Sequence, residues 1–328
     1  MATKFPLKHS ARLILVLAVL LVLDPGPGLA QSLTAADRRR LEQTEDSLKV
    51  LAKTLIVDSL EASRMRADSQ FIRTLVRALQ VRNSFSYPFD SVLGVSHLYA
   101  PDSTFRIFSW NLSYDDYYSR QRGAIQLRTR DGSLRLLPLR DVSEFTASPM
   151  DSVRTRNNWI GAVYYRIIET QFNGKRFYTL FGYDENSAMT NKKWIEVMHF
   201  NDQQEPVFGG PYFSFAQDSL PRPTQYRFSI EYKKAASTTM NYNGDLNMIL
   251  YDHLISETNE PEKRFTYVPD GDYEGFRWEN GKWMHVDKVF TYKLQDGQAP
   301  VGDPLLDPKG NRDEKKLQDK SDRNRQHQ

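Results

Sequence analysis

Hydrophobic residues are spaced differently in successive stretches of this chain, and each spacing predicts a different element. An unbroken apolar run fills residues 13–23, behind Lys4, Lys8 and Arg12. It is about half the length of a membrane span. Asp24, Pro25, Gly26 and Pro27 break it, and Gly28 and Ala30 stand at the small-residue positions before Gln31. This is the layout of a cleavable export signal, so residues 1–30 are read as a leader cut off before Gln31. No later stretch replaces it as a membrane-spanning segment.

From Leu33 to Val81 the apolar period becomes helical. Leu41, Leu48, Leu51, Leu55 and Ile56 recur on one face, with Arg38, Arg39, Arg40, Glu42, Glu45 and Lys49 between them. Thr34 ahead of Asp37 fits an N-cap. Beyond a polar patch of Ser63, Arg64 and Arg66, a second stripe of Phe71, Ile72, Leu75, Val76 and Leu79 predicts either one bent helix or a helical pair. The heptads are too few for a coiled coil. Packing on the following domain is the first expectation, and self-association through this helix the alternative.

Beyond Phe85 the helical period yields to alternation among aromatic and β-branched residues, which predicts strands. Residues 105–110 read as one strand, and residues 124–136 as a hairpin turning at Asp131 and Gly132. Residues 163–170 and 177–183 form a stronger hairpin around Asn173 and Gly174, because Asn-Gly accepts the positive φ angles of a tight turn. Residues 194–200 and 207–215 read as a further pair, with more strands at 226–232, 246–254, 264–268 and 283–290, the last after Asn280 and Gly281. The fold class is therefore mainly β: an antiparallel meander closing as a sandwich or an open barrel, preceded by an amphipathic helical segment. The Asx-Gly turns at Asp131, Asn173, Asn243 and Asn280 are unevenly spaced, which argues against propeller blades.

The domain plan is a leader at 1–30, a helical segment at 31–83, a β domain at 84–295 and a charged tail at 296–328. The tail alternates charges and has no aromatic residue. Such a composition buries too little surface to offset ordering entropy, so a disordered, dispensable spacer is expected. The chain holds no cysteine, which excludes disulfides, thiol nucleophiles, zinc-thiolate sites and a lipidated N-terminal cysteine. Its formal charge of +3 comes largely from the leader. The near-neutral remainder has no basic stripe for nucleic acid.

Candidate chemistry is sparse. His97, His199, His253 and His285 show no metal-ligand spacing, and no Gly-x-Ser-x-Gly elbow occurs. Only His285 and Asp287, two apart on a strand, share a face, so no catalytic set is assigned. Asn241, Asn243, Asp245 and Asn247 imitate a calcium loop, but Leu246 stands where the turn needs glycine. Asp270, Asp272 and Glu274 are read as a second acidic turn. Neither is assigned a metal, and no cofactor motif is present. The more suggestive supply is aromatic: Trp110, Tyr114, Tyr117 and Tyr118 flank Asp115 and Asp116, while Trp278 and Trp283 bracket Glu279 and Asn280. Aromatic faces beside carboxylates and amides suit sugar rings, so these are the candidate ligand-binding residues, with core packing as the competing role.

Tyr87, Pro88, Phe89 and Asp90, the block 101–110 and the block 267–283 resemble an uncharacterised group of exported β-rich proteins of Gram-negative bacteria. The resemblance implies an envelope location and a shared fold, and carries no catalytic residue with it. The functional expectation is an exported envelope-associated binding or structural module, periplasmic or extracellular and without a lipid anchor, whose partner is a glycan or another envelope component. The alternative is a glycan-directed hydrolase drawing on Asp115, Asp116, Asp184, Glu185, Asp272 or Glu274. A third reading makes the helix the active part and the β domain its scaffold. N-terminal sequencing of the protein purified from the envelope should start at Gln31, and a start at Met1 would remove the export reading.

Overall fold

The computed structural model of the chain describes residues 32–290 apart from 116 and 147. The predicted leader and the tail from 296 lie outside the described residues. Helices α1 (Ala35–Val57) and α2 (Glu61–Leu79) open the chain as a pair. The β elements follow as β1 (Ser96–Tyr99), β2 (Phe105–Ser113), β3 (Ser119–Leu127), β4 (Arg135–Leu139), β5 (Arg154–Thr155), β6 (Val163–Phe172), β7 (Lys175–Asp184) and β8 (Thr190–Phe200). The remainder are β9 (Pro206–Phe208), β10 (Phe213–Ser214), β11 (Arg227–Lys233), β12 (Met240–Asn243), β13 (Met248–Ser256), β14 (Tyr267–Glu279) and β15 (Lys282–Val286).

These strands make three sheets and no closed barrel. The first runs β1-β2-β3-β4, the central one β5-β9-β8-β7-β6 with β11 added on β8, and the third β10-β15-β14-β13-β12. The pairing is antiparallel except between β10 and β15. The layers stack as helical pair, first sheet, central sheet and third sheet, with a hydrophobic cluster between each pair of neighbours. Alternation along β2 shows the consequence. Phe105 and Ile107 point at the central sheet, while Phe108 and Trp110 point at the helices. In β7, Tyr178 and Leu180 face the first sheet, and Phe177 and Phe181 face the third.

Thr34 caps α1, accepting the amide of Asp37 at 3.0 Å. The helix buries Leu41, Leu48, Ala52 and Leu55, and also Glu45, which the pattern placed on the polar face. Glu45 is inside because it accepts from the Tyr87 hydroxyl and from the Ser91 amide. Ile56, placed in the apolar stripe by its spacing, is 44 % exposed at the helix end. Arg64 holds the turn between the helices against the end of β2, donating to the carbonyls of Asp58, Ser113 and Tyr114 at 2.7–2.8 Å.

Two arginines are completely enclosed. Arg106 donates to the carbonyls of Tyr87 (2.6 Å) and Ser84 (3.0 Å), to the Tyr99 hydroxyl (2.8 Å) and to Gln126 (2.8 Å), and its guanidinium lies 4.8 Å from the centre of the Phe108 ring. Burial pushes it down to about 10, which leaves it cationic at neutral pH. Arg227 pairs with Glu196 at 2.8 Å and donates to the carbonyls of Pro149, Ser152 and Phe208. Glu196 accepts in turn from Tyr164, whose oxygen accepts the Trp159 indole N–H at 2.7 Å. Removing one partner of such a pair costs about 3–5 kcal/mol, because the other charge stays buried.

Several sequence expectations change in detail. β10 leaves the predicted pair with residues 194–200 and joins the third sheet beside β15. Arg264–Thr266 is a 3-10 turn, and the strand begins at Tyr267. The acidic turn of Asp270 and Asp272 is a bulge inside β14: the pairs Asp252↔Tyr273 and Leu254↔Pro269 leave His253 opposite residues 270–272, and Gly271 takes φ +97° there. The calcium-like segment is the β12–β13 turn, where the Asn243 side-chain oxygen accepts the Leu246 amide at 2.9 Å.

Trp278 and Trp283 pair directly across the Asn280-Gly281 turn, with ring centres 5.2 Å apart. Trp283 is fully buried and donates to Thr179 at 3.0 Å, whereas Trp278 is half-buried. Trp283→Ala should therefore cost about 3–5 kcal/mol, and Trp278→Ala about 1 kcal/mol. Urea melts of the two variants check the difference.

Candidate functional site

At one end of the stack the first and central sheets separate, and their strand ends enclose a cleft of about 340 Å³. Tyr117, Tyr118, Gln121, Glu144, Asp184, Asn186, Lys192 and Trp194 are among its lining residues. Each is placed by a local device. The Asp115 carboxylate accepts the amides of Tyr117 and Tyr118, both at 2.7 Å, and so closes the turn between β2 and β3. Tyr118 then stands 5.1 Å from the Tyr114 ring and donates to Glu144 at 2.9 Å. Asp141 accepts the amides of Gln121, Ser143 and Gly161 at 2.9–3.2 Å, which fixes the Ser143–Phe145 turn carrying Glu144.

Asp184 ends β7. One of its oxygens accepts from Gln121 (2.8 Å) and from the Asn186 amide (3.0 Å). Burial, with the Asp141 charge adding to it, lifts this carboxyl above its ordinary 3.8 despite those two bonds and the nearby Lys192. Asn186 adopts φ 53° and passes the polar web on to Thr190 and Glu231. Lys192 lies 3.4 Å from Glu231. Trp194 is only 7 % exposed, and its indole N–H has no hydrogen-bond partner. A buried donor without an acceptor costs about 1–3 kcal/mol, and this nitrogen has no accessible surface toward the cleft.

The predicted aromatic group is divided by the fold. Trp110 is core: it is 3 % exposed, packs edge-on to Phe71 and donates to Asp68 at 2.9 Å. Trp283 is core as well, so neither belongs to a surface patch. Trp278 sits on the third sheet, away from the residues around Tyr118 in this cleft. Tyr114 supports the Tyr118 ring, Asp115 serves the turn, and Tyr117, 76 % exposed, stands at the lip. Asp116 lies outside the described residues. Among the acids considered for hydrolysis, Asp184 lines the cleft, while Asp272 and Glu274 belong to β14.

Sequence reading missed Gln121, Glu144, Lys192 and Trp194. Gln121 and Lys192 are ordinary alternating polar residues in strands, and Glu144 sits in an irregular segment. The one available signal was the polar run Asp184, Glu185 and Asn186 closing an otherwise apolar strand. His285, which shares a strand face with Asp287, bonds instead to Asp218 and Glu274. Among the described residues no group of three His, Cys, Asp or Glu side chains is arranged to hold a metal ion, and no helix there is long and apolar enough to cross a membrane.

Known protein families, characterised proteins and solved structures contain no match to this chain. Its chemistry must be read from the cleft itself.

A carboxyl lifted by burial costs the fold stability once it ionises. Below 3.8 Asp184 is protonated in both the folded and the unfolded chain, and the cost appears as pH rises toward the lifted folded value. Asp184→Asn keeps the accepting oxygen. Its melting temperature should match that of the parent in acid and exceed it at neutral pH; thermal melts across pH test this, and a lower neutral value would mean that the charge is stabilising.

Proposed function

We propose that the protein is an exported binding module whose cleft takes a neutral, polyhydroxylated ligand of the glycan class. The export reading rests on the leader pattern in residues 1–30 and the envelope setting on the resemblance described above. The observation that carries the ligand class is the meeting, in one cleft, of an exposed tyrosine ring at the lip with the polar groups of Gln121, Glu144, Asp184, Asn186 and Lys192. A sugar ring offers an apolar face to an aromatic ring and a rim of hydroxyls that donate to carboxylates and accept from N–H groups. The volume is at the lower end of the small-molecule range of about 300–1,000 Å³, enough for one or two pyranose rings.

One observation favours a hydrolytic variant of this reading. Asp184 and Glu144 line the same cleft in unlike environments, one half-buried with a raised carboxyl and one exposed beside Tyr118. A divided pair of this kind is what acid and base roles require in glycoside cleavage.

A glycan array and an envelope-extract pull-down with the protein lacking residues 1–30 test the proposal. At least one glycan should be captured, and Tyr117→Ala should weaken it about tenfold with an unchanged melting temperature, because the side chain is exposed. Capture of no glycan, or binding indifferent to Tyr117, would overturn the reading. Chromatography of the captured glycan decides the variant: new reducing ends support hydrolysis, and recovery of the intact glycan leaves binding alone.

A further inference from the structure

The third sheet carries a titratable cluster that the cleft does not use. His285 on β15 has a fully enclosed side chain whose Nδ1 is 2.8 Å from Asp218. Its Nε2 is 2.8 Å from the Tyr251 hydroxyl and 3.2 Å from Glu274. Tyr251 donates to the same Glu274 oxygen at 2.5 Å. The other Glu274 oxygen faces His253 at 3.6 Å, and His253 in turn bonds Asp270 at 2.8 Å. The groups that face His285 are therefore Tyr251 from β13, Glu274 from β14 and Asp218 from the segment after β10, with Arg222 behind Asp218 at 3.1 Å. Phe215 and Phe276 close the remaining walls, their ring centres 5.1 and 5.2 Å away.

Asp218 lies in the strap of residues 216–223 that joins β10 to β11. Every other residue of that strap is exposed, Leu220 at 83 %. The strap borders a second cleft of about 360 Å³, whose lining includes Arg222, Tyr251, His253 and Glu274. Asp218 ties the strap to β15 through the bond from His285, and the Arg222 guanidinium lies 4.1 Å over the buried Phe215 ring.

We propose that His285 is a pH-operated latch, fastening the strap beside the second cleft while the imidazole is charged and releasing it when the proton leaves. Charged imidazole has an N–H for each side, one for Asp218 and one for the Tyr251 and Glu274 pair. Neutral imidazole keeps one and carries no charge, so its hold on the Asp218 carboxylate falls from a charge-assisted bond to an ordinary one. Glu274 and Tyr251 are fixed in the sheet and already joined to each other. Asp218 is on an exposed strap with Arg222 as an alternative partner, so the loss falls on Asp218. The direction follows from the same bonds. Burial pushes His285 down, but its bonds to Glu274 and Asp218 outweigh burial and hold it above its ordinary 6.5. The latch is closed below that raised value and opens as pH climbs through it.

Hydrogen exchange of the full chain, corrected for the intrinsic pH dependence of exchange, reads the strap directly. Protection of residues 216–223 should fall about tenfold for each unit by which closure of the strap on Asp218 raises His285, with a midpoint equal to that of the His285 ring protons by NMR. Asp218→Ala, which removes the acceptor, should leave the strap at the open level at every pH. His285→Asn, if folded, should abolish the pH dependence. Protection that is flat with pH, a midpoint apart from the His285 titration, or a strap that stays protected in Asp218→Ala would each overturn the latch.

Discussion

Burial of both faces of the central sheet is the constraint on which the rest of the molecule depends. A strand covered on one side alternates apolar and polar residues, but β7 and β8 sit between two other sheets and are apolar on both sides. An unmatched polar atom is costly in such strands. Charged groups that enter are gathered into sets, as in the chain from Trp159 through Tyr164 and Glu196 to Arg227. Arg227 then uses its remaining donors on the carbonyls of Pro149 and Ser152, in a segment outside the sheets, and of Phe208 at the end of β9.

Arg106 does the same between the first sheet and the helical side, without any carboxylate. Its charge is shared among carbonyls, a hydroxyl, an amide and the faces of surrounding aromatic rings. A guanidinium suits this task because its donors form a planar fan and its faces stack on aromatic rings. Both arginines therefore turn irregular chain into fixed structure, and the loops that reach the cleft inherit that rigidity.

The cleft occurs where the layered packing ends. Strand ends must exchange sheet hydrogen bonds for side-chain ones, and here Asp115, Asp141, Asp184 and Asn186 supply them. Two features at this end are unfavourable to the fold: the lifted Asp184 carboxyl and the unpartnered Trp194 N–H. Asp184 lines the cleft, and its cost is of the kind that a bound polar ligand offsets. The cluster around His285 differs, since every titratable member has a partner and the variable is which partner moves.

Much of the fold was legible in the chain because it depends on near neighbours. The hairpins at Asn173-Gly174 and Asn280-Gly281 follow from positive φ at those residues, and the Thr34 cap and the helical stripe follow from spacing along one helix. The mainly β class came from alternation alone. What the chain could not show was which surfaces meet. Trp110 and Tyr118 belong to one aromatic block, yet period two along β2 sends Trp110 under the helices, while the Asp115 turn carries Tyr118 to the cleft. Glu45 reads as solvent-facing until Tyr87 closes over it, and His285 finds Asp218 from 67 positions away. Local backbone preferences are encoded within a few residues, whereas the partners of a buried charge are chosen by how layers stack; the first the sequence by itself determined, and the second only the tertiary structure decided.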